Sequence, residues 1–220
     1  MLLIDELTAE HILIETVLGS LRAFVDARAA GSADPADGPR FLRFFRLFAG
    51  DFHHGREEDV LFAALAEKAE LPADRGPIAA MVAQHAHMAT ILDQLEPLLG
   101  RIVLDPTAAE RMQALAVSYS HALWHHIDAE NSVLLPESEA RLRRHHVLEL
   151  PSRPMSMEEA EARADGERLL TKYPPVQDRE VMRGDGCVHC PAYGETCRGL
   201  EREWWNEWEW EEFEDHMPKD

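Results

Sequence analysis

The sequence lacks cysteine over its first 186 residues, and its three cysteines all lie between Cys187 and Cys197. So local a set cannot form a chain-wide disulfide framework, which favours a reducing, cytoplasmic environment. No apolar run approaches the length of a membrane span. The short apolar stretch after Met1 meets Asp5 and Glu6, so it is not typical of a signal peptide. We therefore expect a cytoplasmic protein without a membrane partner.

Basic residues are also scarce, because 22 Lys and Arg face 41 Asp and Glu, for a net charge of −19. Binding to a phosphate backbone needs surplus positive charge, so nucleic acid is not expected as a partner. No segment alternates in the manner of a half-buried strand. The chain is therefore predicted to be all-α.

Apolar residues instead recur in steps of three and four, which is typical of amphipathic helices. In the first such stripe they are Ile4, Leu7, His11, Ile14, Leu18, Leu21 and Val25. Four helices with short connections predict an up-down-up-down bundle over residues 1–150, with Pro136 ending or kinking the fourth. Residues 151–220 are predicted to form an extension, in which Ser156 and Glu159 suggest a capping box for a short helix to about Thr171.

The bundle also contains an internal repeat. The segment around His11 aligns with that around His85, 74 residues later, and the segment from His53 to Phe62 aligns with that from His126 to Leu135 at an offset of 73. Each half therefore supplies one lone histidine from its first helix. Each second helix supplies a His-x-x-x-Glu couple, His53 with Glu57 and His126 with Glu130.

The spacing of these couples suits metal binding, because residues four apart on a helix share one face. The histidines also occupy core positions, where a row of polar groups is costly unless a partner satisfies it. One core histidine alone is most often structural, and one His-x-x-x-Glu couple is a weak signal. Four matching sites in a duplicated bundle favour a metal cluster of imidazole and carboxylate ligands, which suits iron, manganese or zinc.

Three segments carry a resemblance to a known family. Residues 52–62, 76–85 and 126–136 resemble the second-, third- and fourth-helix signatures of the hemerythrin-like HHE cation-binding family. The resemblance covers about residues 1–150. It implies a non-haem di-iron centre with two iron ions per chain. By resemblance the iron ligands would be His11, His53, Glu57, His85, His126 and Glu130.

The sequence departs from the family pattern at two positions. Ala63 stands where the family often has proline, which should affect only a helix end. Ala89 stands where hemerythrins have a second histidine, so one iron would lack a histidine unless a neighbour supplies it. The candidates for that role, each better interpreted as a surface group or one behind the ligands, are His54, His87, His121 and His125. Two further histidines, His145 and His146, are predicted to lie at the surface.

The family resemblance leaves several functions open. The first expectation is reversible binding or sensing of dioxygen, nitric oxide or iron. The alternatives are an enzyme acting on peroxide or nitric oxide, an iron donor in iron–sulfur cluster repair, and an adaptor regulated by its iron state. Bulky core residues near the ligands predict a small dry cavity that favours diatomic gases over organic substrates, namely Phe52, Met88, Leu92 and Tyr119.

The end of the chain lies outside the resemblance. Cys187, Cys190 and Cys197 could form a zinc knuckle with His189 or His216, a redox pair, or plain thiols. From residue 201 to 220 nine acidic residues surround a tryptophan-rich helical stripe. That stripe predicts either a helix docked on the bundle or an acidic-aromatic segment that binds a protein partner.

Overall fold

A computed structural model describes residues 1–103 and 105–176 of the chain, and this part is helical with no strand. Helix α1 is Leu2–Ala29 and helix α3 is Gly76–Leu99. Helix α2 is continuous over residues 38–68. Helix α4 begins as Pro106–Ala129 and continues to residue 144, and helix α5 is Met157–Lys172. The all-α prediction is confirmed.

Helices α2 and α4 contain widened turns of π-helix. In α2 these are Phe44–His54 and Glu57–Phe62, and in α4 the segment is Glu130–Leu134. A π turn adds a residue to the helical turn and is rare outside functional sites. Here all three widened segments carry or adjoin the histidines and glutamates of the repeat.

Helix boundaries follow the local chemistry of the chain. Asp105 accepts a hydrogen bond from the Ala108 amide, and Ser156 forms the predicted capping box with Glu159. Pro136 was expected either to end or to kink the fourth helix, and it does not end α4. The helix continues to residue 144, because Pro136 follows a widened turn and stands at the start of the next α-helical segment.

The hydrophobic core forms two clusters, and the order in which each helix meets them gives the topology. Helix α1 runs from the smaller cluster at Leu7 to the larger cluster at Ile14. Helix α2 runs the opposite way, from Phe52 to Leu61. Helix α3 again begins in the smaller cluster, and α4 again begins in the larger one. Successive helices are therefore antiparallel, as the up-down-up-down prediction requires.

Helix α5 packs on the same bundle. Its Gly166 lies so close to the Phe44 ring that a Cβ atom there would be 2.3 Å from a ring carbon. After the helix, the Tyr173 hydroxyl donates to the buried carboxylate of Asp37 at 2.7 Å, and the Ser20 hydroxyl donates to the Tyr173 carbonyl at 2.6 Å. Residues 157–173 thus add to the larger core cluster.

Residues 177–220 lie outside the described part of the chain, and so do the predictions for Cys187, Cys190, Cys197 and the tryptophan-rich end. Within the described residues, the helices are too short or too polar for any to qualify as a membrane span.

Candidate metal centre

The six residues singled out by the repeat lie together in the layer between the two core clusters. Every one is buried, with exposures between 0 and 7% for His11, His53, Glu57, His85, His126 and Glu130. Helices α1 and α3 each contribute one histidine, and α2 and α4 each contribute a His-x-x-x-Glu couple. The structure therefore assembles residues from all four bundle helices at one level.

The side chains form two groups that share a carboxylate. The first group is His11, His53, Glu57 and Glu130, and the second is His54, Glu57, His85 and His126. Within each group, one donor atom per residue lies within 4.8 Å of the others. Such spacing is suited to one metal ion per group.

Glu57 reaches both groups with different oxygens. Its Oε1 lies 3.3 Å from His53 Nε2, and its Oε2 lies 3.5 Å from His85 Nε2. Glu130 does the same, with Oε2 at 3.2 Å from His11 Nε2 and Oε1 at 3.3 Å from His126 Nε2. Both carboxylates are thus placed to bridge two ions.

Most of the inward atoms are buried without a hydrogen-bond partner among the described residues. They include all four oxygens of Glu57 and Glu130, and the Nε2 atoms of His11 and His53. A buried carboxylate without a hydrogen bond is costly, and native proteins rarely leave one so. Positive ions between the two groups would satisfy all of these atoms together, so the donor set fits a dinuclear metal centre.

The outward Nδ1 atoms of His11, His53, His85 and His126, in contrast, are each hydrogen-bonded. His11 Nδ1 lies 2.7 Å from Asn131 Oδ1, and His126 Nδ1 lies 2.9 Å from Gln84 Oε1. The two carboxylate partners are Glu10, 2.8 Å from His53 Nδ1, and Glu58, 2.7 Å from His85 Nδ1. Since each acceptor is an oxygen, these four Nδ1 atoms act as donors, and the Nε2 atoms that face inward are left free to bind metal. The Nε2 atoms of His85 and His126 lie 3.0 Å apart, and a metal ion held by both would require them to separate.

The sequence model of the Hemerythrin HHE cation binding domain matches residues 2–138. The chain belongs to this family. The match spans α1, α2, α3 and most of α4, and it includes every residue of both groups. No match was found among curated proteins or among solved structures.

The outer hydrogen bonds of this HHE domain follow its internal repeat. Glu10 and Gln84 each precede the lone histidine of their half, and each accepts from the histidine of the following helix. Glu58 and Asn131 each follow the couple's glutamate, and each accepts from a lone histidine. The first half supplies carboxylates and the second half supplies amides. Each group therefore has one imidazole that donates to a carboxylate and one that donates to a side-chain amide oxygen.

A buried arginine supports one of these acceptors. Arg56 is 2% exposed and pairs with Glu10, and it also donates to Glu6 at 3.0 Å. Its guanidinium lies over the Phe52 ring, 3.9 Å from the centroid. Burial raises the pKa of Glu10, and Arg56 opposes that effect. Arg56 thereby helps to keep Glu10 an anionic acceptor for His53.

Burial also controls the protonation of the inner groups. It lowers the pKa of His53, His54 and His126 well below the ordinary value, with the neighbouring histidines adding to the effect. Burial, followed by repulsion from Glu130, raises the pKa of Glu57, and burial raises that of Glu130 to about 8. The histidines are thus held neutral, the form in which imidazole binds metal.

His54 is the residue that sequence reasoning underrated, since it was better interpreted as lying behind the ligands or at the surface. Its ring stacks on His85 with centroids 3.9 Å apart and an interplanar angle of 11°, and it belongs to the second group. The signal that could have found it was Ala89, which leaves one group short of a histidine. The widened turn of α2 contains His53 and His54 together, so both rings face the centre.

The other candidate histidines lie outside both groups. His87 is exposed, and His121 and His125 are half-buried with their rings 6.5 Å apart. His145 and His146 are exposed, as expected.

The expectation of a small dry cavity does not hold beside the second group. A cleft of about 690 Å³ opens between α2 and α3 and reaches His54 and His85 of the second group. Met88, Leu92 and Tyr119 do point into the core as predicted, but they form part of the cleft's lining and do not seal it.

Proposed function

We propose that this HHE domain binds two iron ions and that the resulting di-iron centre binds a diatomic ligand, dioxygen or nitric oxide. The observation that carries this proposal is the pair of buried carboxylates, Glu57 and Glu130. Each presents one oxygen to each histidine group, and none of these oxygens has a hydrogen-bond partner. Such an arrangement is costly for the protein alone and favourable around two cations.

The donor set favours iron over the alkaline-earth ions. Calcium and magnesium prefer oxygen ligands, whereas these groups consist mainly of imidazole nitrogens. His11 and His53 would hold one ion, and His54, His85 and His126 the other, with Glu57 and Glu130 shared between them. Five imidazoles and two carboxylates do not complete two coordination shells of about six donors each. Iron bound there would supply an open position for a small ligand.

The chain's own residues set the conditions for that ligand. The outer oxygens of Asn131, Glu10, Glu58 and Gln84 hold four of the five imidazoles in one tautomer and orientation. The apolar clusters above and below the layer exclude water from the first group, where His11 and His53 are 1% exposed. Fixed imidazoles in a dry surrounding favour binding of a gas without loss of the metal.

A second candidate function is catalysis on peroxide or nitric oxide, or donation of iron for iron–sulfur cluster repair. The cleft at His54 and His85 favours it, because this opening admits solvent and reactants to the second group. A diatomic gas does not need an opening of this size.

Metal analysis and optical spectroscopy distinguish these functions. We expect two iron ions per purified chain, and a spectrum of the reduced protein that changes on mixing with oxygen or nitric oxide. Recovery of the reduced spectrum when the gas is removed supports binding or sensing. Many turnovers of peroxide would support the enzyme, loss of iron to an acceptor would support the donor, and a chain without iron would contradict the di-iron proposal.

A further inference from the structure

The cleft between α2 and α3 is larger than a diatomic ligand requires. Its volume of about 690 Å³ lies in the range of small-molecule binding sites. Gly50 on α2 and Ala89 on α3 line it, and a Cβ atom at Gly50 would meet only the Phe45 carbonyl oxygen, at 3.4 Å. Small residues on both walls therefore keep the cleft open.

The inner wall of the cleft is apolar and aromatic. It is formed by side chains that are at most 5% exposed, namely Phe45, Met88, Leu92 and Tyr119. The rings of Phe45 and Tyr119 pack edge to face with centroids 5.2 Å apart. Aromatic rings and a thioether favour an aromatic ligand, since both contact a further ring in preferred geometries.

Acidic side chains also line the cleft. Asp51, Glu58 and Asp59 lie along it, and among the described lining residues Arg46 is the single lysine or arginine. The Arg46 guanidinium is already committed, because its Nη2 donates to Asp93 at 2.6 Å and to Glu96 at 2.8 Å. Negative charges therefore outnumber positive ones along the cleft, and such a lining favours a cation and repels an anion.

We propose that this cleft binds a small aromatic amine in its protonated form, with the ring on the apolar wall and the ammonium group beside Asp51 and Asp59. The ligand would lie beside His54 and His85. The inference goes beyond the proposed gas binding, because it assigns an organic ligand to a surface that a diatomic molecule does not need.

Calorimetric titration of the iron-loaded full chain tests the class of ligand. The probes are benzylamine, benzyl alcohol and benzoate, which share a ring and differ in charge at pH 7. We expect benzylamine to bind with a dissociation constant of about 1 mM or tighter, benzyl alcohol at least about five-fold more weakly, and benzoate not measurably. Equal binding of all three, preference for benzoate, or no binding of benzylamine would overturn the proposal.

Variants that fill the cleft test its location. Gly50→Leu and Ala89→Leu add side chains from opposite walls, and each should weaken benzylamine binding at least ten-fold. Ala83→Leu is the matched control, because Ala83 is an exposed residue of α3 that does not line the cleft. Unchanged binding in both cleft variants would place the amine elsewhere and contradict the proposal.

A charge variant tests the carboxylates separately. Asp51→Asn with Asp59→Asn should weaken benzylamine binding by about three- to ten-fold and leave benzyl alcohol binding unchanged. Glu67→Gln with Glu110→Gln, two exposed substitutions away from the cleft, controls for the change in net charge. Equal losses for the amine and the alcohol would show that charge does not select the ligand, against the proposal.

Iron content and gas binding are measured on the same preparations. Two irons and normal gas binding without any benzylamine binding would reject the cleft site and leave the proposed function intact. Benzylamine binding to a chain that holds no iron would support the cleft site and reject the proposed di-iron function.

Discussion

At the residue scale, hydrogen bonds to the outer nitrogen hold four of the five imidazoles in place. A histidine whose Nδ1 donates to an oxygen is fixed in tautomer and orientation, and a carboxylate acceptor makes the ring a stronger metal ligand than an amide does. Glu10 and Glu58 are the carboxylates, on His53 and His85. Only Glu10 is backed by a buried arginine, Arg56.

Glu10→Gln should therefore weaken binding at the first group. The amide oxygen still accepts from His53, but the negative charge that strengthens this ligand is lost. We expect iron affinity to fall by about ten- to one hundred-fold, measured by competition with a chelator under anaerobic conditions. The matched control is Glu6→Gln, which removes the other carboxylate partner of Arg56 without contacting His53. Equal losses in the two variants would show that Arg56 pairing, rather than the imidazole, is responsible.

His54 provides the second prediction at this scale. Since it belongs to the second group, His54→Ala should reduce the iron content from two per chain towards one, measured by elemental analysis after dialysis. His87→Ala is the control, because His87 is exposed and belongs to neither group. Retention of two irons with unchanged affinity would remove His54 from the ligand set.

Sequence and structure differ most on this residue for a geometric reason. The repeat and the four-residue spacing indicate His53 with Glu57, because both assume a regular helix. In a regular helix the next residue, His54, turns well away from that face. The widened turn changes the angular position of its residues, and no residue pattern in a single sequence predicts where such a turn forms.

At the element scale, most helix boundaries could be predicted because they rest on local chemistry. Asp105 and the Ser156–Glu159 pair satisfy amides at helix starts by contacts a few residues long. The sequence could not decide whether α4 ends or continues at Pro136, since the outcome depends on the widened turn at Glu130–Leu134. The docking of α5 also depends on contacts distant in sequence, such as that of Gly166 with Phe44.

The contact between α5 and α2 leads to a prediction at this scale. Gly166→Ala would place a Cβ atom 2.3 Å from a carbon of the Phe44 ring, so the helix or the ring must move. We expect a loss of about 1–3 kcal/mol in the free energy of unfolding, measured by thermal or urea denaturation. At Gly100 the nearest atom to an added Cβ is 3.9 Å away, so Gly100→Ala is the control. Equal stability of the two variants would contradict the packing of α5 on the bundle.

The start of α5 predicts a dependence on pH. Hydrogen bonds from Arg153, together with those from Ser156, lower the pKa of Glu159 to about 2 from its ordinary value of 4.5. A lowered folded-state pKa gives stability that is present above pH 4.5 and lost as the pH falls towards 2. Metal-free wild type should thus lose stability relative to Glu159→Gln over this interval, measured by urea unfolding at successive pH values. Parallel curves for the two proteins would show that Glu159 is not coupled to folding.

At the scale of the whole molecule, the layer of buried histidines and glutamates lowers the stability of the metal-free bundle, whose core is otherwise apolar. It separates two hydrophobic clusters that would pack continuously if the layer were apolar. Burial raises the pKa of Glu57 and Glu130, which shows that the metal-free fold disfavours their charges. The sequence predicts the layer well, because it recurs at matching positions of the repeat, whereas the cleft beside it depends on how α2 and α3 are spaced.

Glu57→Gln should therefore have opposite effects on the melting temperatures of the metal-free and the iron-loaded protein. Iron that binds only the folded chain stabilises it by mass action, so loaded wild type should melt roughly 5 to 10 °C above the metal-free form. In wild type, Glu57 Oε1 lies 3.3 Å from His53 Nε2. The neutral amide introduced by the substitution can donate a hydrogen bond to this nitrogen in the metal-free state. The metal-free variant should therefore melt at or above wild type. In the presence of iron it should melt below wild type, because an amide cannot replace the anionic bridge. Calorimetry of both forms, with the exposed substitution Glu67→Gln as control, measures the two differences. A variant that keeps the full iron-dependent increase would show that Glu57 does not bind the metal, whatever its position in the layer.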